Sequence, residues 1–129
     1  MATSLLLDTH VLLWVATRDD RLGPRARDAI RDGTTTVFVS AVTAWEIAIK
    51  RALGKVEVPG DVMELVRFYR FDALDITIDH AVGVEALPSH HRDPFDRLLV
   101  SQARSEGLTL VSNDARLAEY DVSYLPATR

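Results

Sequence analysis

Cysteine is missing from all 129 residues, which excludes disulfides, thiolate zinc sites and a cysteine nucleophile, and suits a reducing compartment. The fold must therefore stand on its apolar core. Glycine and proline are sparse, with 6 and 5 residues, so collagen-like and low-complexity architectures are excluded. No apolar run is long enough to cross a bilayer. The stretch from Met1 to Thr17 is broken by Asp8 and His10 and has no Lys or Arg ahead of it, which makes it a poor export signal. A cytoplasmic protein without membrane contact is the expectation. An excess of positive charge is also absent: 15 Lys plus Arg against 19 Asp plus Glu give a net charge of −4, the wrong sign for holding nucleic acid by bulk electrostatics. If such a chain handles RNA, something local must offset the repulsion, either bound divalent cations or clusters of basic residues. Candidates are Arg18, Arg21, Arg25 and Arg27, then Lys50, Arg51 and Lys55, then Arg92 and Arg97, each of which also reads as an ordinary solvated face.

What the chain does contain is the composition of a globular protein, 47% apolar and 26% charged. Its length suits one domain over residues 1–129, able to bury about two-thirds of its unfolded surface. Ser4 to Asp8 is a continuously apolar run ending in a carboxylate, as expected of a strand buried on both faces of a parallel sheet. A helix follows from Thr9 to Ala16. Pro24 at a first turn and Gly33 past the end bracket a second helix, Pro24 to Asp32. Thr35 to Val39 is β-branched and strand-like. Ser40 caps a long amphipathic helix, Ala41 to Leu53, closed by Gly54. After a connection from Lys55 to Pro59, the pattern predicts a helix over Asp61 to Tyr69, a strand around Ala73 to Ile76 and a helix from Thr77 to about Leu87. Pro88 to Arg92 reads as a polar loop. A helix begins at Asp93-Pro94 and stops at Gly107; then come a strand at Thr109 to Ser112, a short helix from Asp114 to Tyr120 and a last strand from Val122 to Leu125. Short strands separated by helices predict an α/β fold, an open and mostly parallel sheet of four to five strands covered by helices on both sides.

In such sheets, ligands bind beyond the carboxyl ends of the strands. Asp8 and Asp114 lie at two of those ends, Asp93 and Asp96 occupy the first turn of a helix, and Glu46 lies nearly two turns into another. Carboxylates gathered in one cleft raise one another's pKa values, and a cation is the usual compensation. Oxygen donors without thiolate suit Mg²⁺ or Mn²⁺, and such a centre hydrolyses phosphodiesters by activating a bound water. Each acid at a helix start has a plainer reading as a cap: Asp8, Asp114, and Asp93 with Asp96. Glu46 resists it. It sits beyond the first turn, beside Val42, Ile49 and Leu53, which read as buried, and a carboxylate near that face requires a partner.

The stretch Leu5 to Trp14, with Asp8-Thr9-His10 inside it, resembles the opening of VapC toxins, the PIN-domain ribonucleases of VapBC toxin–antitoxin pairs. Ser40 to Lys50, with Trp45-Glu46, resembles their second motif, Asp93-Pro-Phe-Asp96-Arg97 their third and Leu110-Val-Ser112-Asn113-Asp114 their fourth. The four occur in order and span nearly the whole chain. The resemblance implies a PIN-like three-layer α/β/α sandwich and an Mg²⁺- or Mn²⁺-dependent endoribonuclease, a toxin inhibiting translation and growth. It assigns metal binding to Asp8, Glu46, Asp96 and Asp114, with Asp93 as a further metal-site acid whose capping role suffices without catalysis. It gives Ser112 a supporting hydrogen bond, Thr9 a bond to a metal ligand or the attacking water, and Arg97 and His10 a place against the substrate. Arg97 equally reads as a surface or ion-pair residue and His10 as a partly buried, satisfied histidine. His90 and His91 are adjacent, so their side chains diverge and form a poor chelate; both read as solvated loop residues. Trp14 and Trp45 read as core or interface anchors.

The implied partners are RNA, with a transfer RNA or a ribosomal RNA loop as examples, and a VapB-type antitoxin laid into the acidic groove, with an Arg among the carboxylates. A homodimer is implied as well, joined through exposed apolar residues on the early helices. Two other functions fit an α/β chain of this kind. A phosphoryl-transfer receiver domain would want paired acids at the first strand end and a late lysine, whereas Asp8 stands alone there and no lysine follows Lys55. A catalytically inactive PIN-like module would bind RNA or protein without cutting.

Overall fold

Five strands form a single parallel sheet in the order β3-β2-β1-β4-β5, so the first strand of the chain lies in the middle. The computed structural model describes residues 3–58 and 60–128. Met1, Ala2, Pro59 and Arg129 lie outside the described residues, Pro59 being the expected end of a connection. The strands are β1 (Ser4–Leu7), β2 (Thr36–Ser40), β3 (Asp72–Leu74), β4 (Thr109–Ser112) and β5 (Ser123–Pro126). The helices are α1 (Thr9–Thr17), α2 (Pro24–Arg31), α3 (Ala41–Ala52), α4 (Val62–Phe68), α5 (Ile78–Gly83) and α6 (Pro94–Glu106), with short 3₁₀ turns at Val84–Ala86 and Ala115–Glu119. Each element lies within a few residues of its expected place.

The strand period of two divides the core into two layers. Leu5 and Leu7 of β1, Val37 and Val39 of β2, and Val111 of β4 pack with Val11, Leu12 and Trp14 of α1, Ala26 of α2 and Val66 of α4. Leu6, Phe38 and Leu110, one residue out of phase, face the other way against Leu99, Val100 and Ala103 of α6. Both faces of β1 are thus covered, which is why its sequence is continuously apolar. Helix α3 contributes to both layers, Val42 to one and Ile47 to the other. The result is the α/β/α sandwich that the alternation of elements predicts.

Several local expectations are corrected. The Pro24 helix ends at Arg31, and its C-cap is Asp32 at φ −65°, so Gly33 supplies no left-handed cap. Left-handed glycines do stand at Gly54 (φ 69°) and Gly107 (φ 68°), after α3 and α6, where a side chain would strain the turn. The helix expected from Thr77 to Leu87 stops at Gly83 and tightens into a 3₁₀ turn. Trp45 and Ile49 of α3 and Leu53 at its C-cap are exposed, by 57%, 37% and 62%; the three follow one another at i, i+4 and i+8 and form an outer stripe. Trp45 is therefore no core anchor, although it meets Phe95 edge-on with ring centroids 5.1 Å apart. Trp14 is buried in the core. The large exposed apolar residues fall on α3, α4 and the β3–α5 region, Phe68 and Ile78 among them, rather than on the first two helices.

Leu6 pairs in register with Phe38 and Leu110 and is completely buried. Truncating it leaves a cavity between sheet and α6, and Leu6→Ala is expected to cost about 2–5 kcal/mol, a large share of the ~5–15 kcal/mol typical of a domain. Urea unfolding should show a lower midpoint at an unchanged slope. A loss near zero would mean that this face of β1 is not packed.

Candidate active site

Strand order decides which residues meet. With β1 between β2 and β4, the carboxyl ends of the three central strands lie side by side, and the residues just beyond them share one edge. Asp8 follows β1 directly. It is 3% exposed, its backbone N–H donates to the Val111 carbonyl of β4 at 3.0 Å, and its side chain accepts the Val11 N–H at 2.9 Å as the cap of α1. Burial pushes its carboxyl above the ordinary range, partly opposed by hydrogen bonds from Ser112 and the Val11 N–H, while the charge of Glu46 pushes it further up. Ser112, at the end of β4, is buried and its hydroxyl also accepts the Asp114 N–H at 3.0 Å.

Glu46 has the partners that its position demands. It is 4% exposed; Thr9 donates its hydroxyl to Oε1 at 2.6 Å and Lys50, one turn on, donates to Oε2 at 2.5 Å. Thr9 is itself buried. The ammonium of Lys50 is held above its ordinary pKa by Glu46 first, and it feels Asp93 and Asp96 as well. A lysine four residues after a glutamate is the spacing of a helix ion pair, so Lys50 was within reach of sequence reasoning as the partner of Glu46.

The start of α6 separates two roles. Asp93 is the cap, accepting the N–H groups of Phe95 at 2.8 Å and Asp96 at 3.3 Å. In a full capping box, the third helical residue would take the N–H of the cap residue in return. Here that N–H goes to His91 Nδ1 at 2.9 Å, and Asp96 is left to face the other acids. Its carboxyl is pushed up to about 7, first by burial, then by Asp93, Asp8, Glu46 and Asp114 in that order. Asp114, which caps the 3₁₀ turn after β4, is held well below the carboxylate range. The main cause is Arg116, whose guanidinium grips both oxygens at 3.0 and 2.8 Å, helped by its backbone N–H and by His91.

All five acids are thus brought to one edge. Ser112 and Thr9 stand among them, and capping coexists with membership of the cluster. His10 is exposed, so the reading of a partly buried, satisfied histidine is corrected; it lies near enough to Asp8 to lower that carboxyl's pKa. Among the described residues Arg97 has no ion-pair partner. Its guanidinium donates to the carbonyls of Val84, Leu87, Pro88 and His91 at 3.2, 3.3, 2.8 and 3.4 Å and to the Tyr120 hydroxyl at 3.2 Å, pinning the loop ahead of α6. His90 and His91 do diverge, but only His90 remains a half-exposed loop residue, against Tyr120 and Glu119. His91 is 7% exposed and points at Asp114 and Asp96. Sequence reasoning missed His91 and Arg116, since neither contact follows from a local motif. Arg18 and Arg27 line a cavity of about 1010 Å³ with Trp14, Tyr69 and Phe71. That cavity lies at the amino ends of the strands, so these arginines do not compensate the acids.

The chain matches the PIN domain over residues 5–123. This protein belongs to the PIN domain family. It is 31% identical over 123 residues to Ribonuclease VapC22 of Mycobacterium tuberculosis, covering 92% of each chain. Its fold is similar to that in the structure of VapBC2 from Rickettsia felis bound to a promoter DNA fragment, with a TM-score of 0.71 at 13% identity over 96% of this chain and 98% of that one. VapBC-1 from nontypeable Haemophilus influenzae is similar as well, with a TM-score of 0.62 at 16% identity over 98% and 100% of the two chains. These relatives agree with the PIN-type sandwich and the VapC resemblance that the four motifs carry.

The crowding has a thermodynamic sign. Between the ordinary carboxyl value of 3.8 and about 7, Asp96 keeps in the native state a proton that the unfolded chain has released. The native state binds more protons there, so stability falls as pH rises through this window and levels off above it. Asp8 acts in the same direction, whereas Asp114, shifted down, titrates below the window. Ion-free protein is expected to melt several degrees lower at pH 8 than at pH 5, and Asp96→Asn to raise the melting temperature at pH 8 and flatten the slope. A steeper slope in the variant would contradict the assignment.

Proposed function

We propose that this chain is an Mg²⁺- or Mn²⁺-dependent endoribonuclease and the toxin half of a VapBC-type pair, acting in the cytoplasm to inhibit translation and growth. The observation that carries the reading is the meeting of Asp8, Glu46, Asp93, Asp96 and Asp114 at the carboxyl edge of the central strands, close enough that four of them, together with burial, raise the carboxyl of Asp96. A group so placed is stabilised by a cation, and the donors around it are oxygens suited to a hard divalent ion. Asp8, Glu46, Asp96 and Asp114 would hold the ion, with Asp93 adding charge from its cap. When bound, the ion supplies a water of lowered pKa and neutralises charge developing on the phosphate.

The remaining residues prepare that arrangement. Thr9 fixes one oxygen of Glu46 and so orients the other acid-bearing helix against α1. Ser112 joins Asp8 to the Asp114 backbone. Both hydroxyls are buried and engaged, which disfavours a side-chain nucleophile and supports hydrolysis by water. His10, exposed and near Asp8, would contact the substrate. Arg97 is engaged with the loop ahead of α6, and so does not carry that role.

Unpaired RNA is the proposed substrate, because its backbone can enter a small cleft and its bases can splay out; a transfer RNA or a ribosomal RNA loop fits. That VapC22 is a ribonuclease supports RNA, and the VapBC structures support an antitoxin partner. A homodimer follows from the VapC resemblance, with the apolar stripe of Trp45, Ile49 and Leu53 as a candidate interface.

The decisive experiment incubates purified, partner-free protein with total RNA and Mg²⁺ or Mn²⁺, beside a chelator control and the variants Asp8→Asn and Asp96→Asn. Asparagine retains the cap that Asp8 provides for α1, so loss of activity is not loss of fold. Discrete fragments are expected only with the ion and both acids intact, each variant falling beyond the ~10–100-fold typical of losing a ligand's supporting partner. Cleavage unchanged by chelator would overturn the metal reading, and RNA binding without cleavage would favour an inactive module.

A further inference from the structure

A buried imidazole stands at the acidic edge with no part in the reaction as described. His91 belongs to the loop between the Val84–Ala86 turn and α6, yet its side chain is only 7% exposed. Nε2 lies 2.8 Å from Asp114 Oδ2 and 3.3 Å from Asp96 Oδ2, and Nδ1 lies 2.9 Å from the backbone nitrogen of Asp93. The ring is held from behind as well, since Arg97 ties the Pro88 and His91 carbonyls to α6.

One ring nitrogen and one oxygen each of Asp96 and Asp114 fall within 4.8 Å of one another, which by composition alone would pass for a three-ligand metal site. The hydrogen-bond pattern opposes that. A backbone N–H can only donate, so Nδ1 is an acceptor and the single ring proton of the imidazole sits on Nε2, aimed at the carboxylates. A ligating histidine has the reverse arrangement, with a free lone pair on the ligating nitrogen and the other N–H given to a carboxylate or carbonyl.

We infer that His91 is a positioning residue. Its Nε2–H holds Asp114, at the end of β4, and faces Asp96 on α6, so that the two carboxylates are presented together to a divalent ion. Asp114 has a second donor in Arg116, but that side chain is 62% exposed and can swing into solvent when an ion arrives. His91 is enclosed and stays. The role rests on the reading of the acidic edge as a divalent-ion site.

Two measurements test it. Long-range ¹⁵N imidazole spectra of ion-free and Mg²⁺-loaded protein should both place the His91 proton on Nε2. Calorimetric titration of the wild type, His91→Ala and His91→Gln with Mg²⁺ and with Zn²⁺ should show His91→Ala weaker by about 10–100-fold for both ions. The ratio between the ions should be unchanged, and His91→Gln, whose amide can donate from the place of Nε2, should recover most of the loss. A proton on Nδ1 overturns the inference, as does a loss in His91→Ala confined to Zn²⁺, the ion that favours imidazole; either would make the ring a ligand. Wild-type affinity retained in His91→Ala removes its role while leaving the metal site standing. A wild type that takes up neither ion sinks the metal site itself.

Discussion

Mutual repulsion among carboxylates is the constraint around which this molecule is arranged. Asp8, Glu46, Asp93, Asp96 and Asp114 come from four separate parts of the chain, and burial together with their meeting raises Asp96 far above an ordinary acid. Folding has to supply the free energy that opposes this, and it does so through two apolar layers packed on either side of a short sheet. The charge is relieved locally and incompletely. Lys50 neutralises Glu46 and Arg116 grips Asp114, while Asp96 receives no cationic side chain of its own among the described residues. The centre of the cluster is therefore where positive charge is most lacking, which is the electrostatic condition for binding a small divalent ion.

The arrangement also bears on how an acidic protein would meet the RNA proposed as its substrate. With a net charge of −4, the chain cannot draw RNA by its overall field. Arg18 and Arg27 line the cavity at the opposite edge of the sheet. At the acidic edge the compensating side chains are Lys50 and Arg116, so under the proposed function the attraction to RNA would be short-ranged and would depend on the proposed ion.

The parts of this structure that obey local rules were legible in the sequence. Leu5, Leu6 and Leu7 announce a strand covered on both sides, Ser40 and Asp93 announce helix starts, and the four acid-bearing motifs announce the edge at which they meet. Capping and catalysis had stood as rival readings of Asp8 and Asp114, but one carboxylate serves the helix while remaining in the cluster. What was not legible depends on contacts across the fold. His91 reads as a loop residue until Asp114, 23 positions away, is seen beside it. Arg97 reads as a surface charge until its guanidinium is found bridging four carbonyls. Ile49 and Leu53 look like core because their helix is amphipathic, yet the sheet takes Val42 and Ile47 and leaves those two outside.

The order of the strands in space has a temporal side. The sheet is built outward from its first strand, and β4 is added to it only after most of the chain exists. A growing polypeptide on the ribosome therefore carries Asp8 from the outset but cannot close the acidic edge until Asp114 has emerged. Contacts between such distant segments also form late and slowly in folding. The acidic edge therefore stays incomplete through nearly all of the chain's own synthesis.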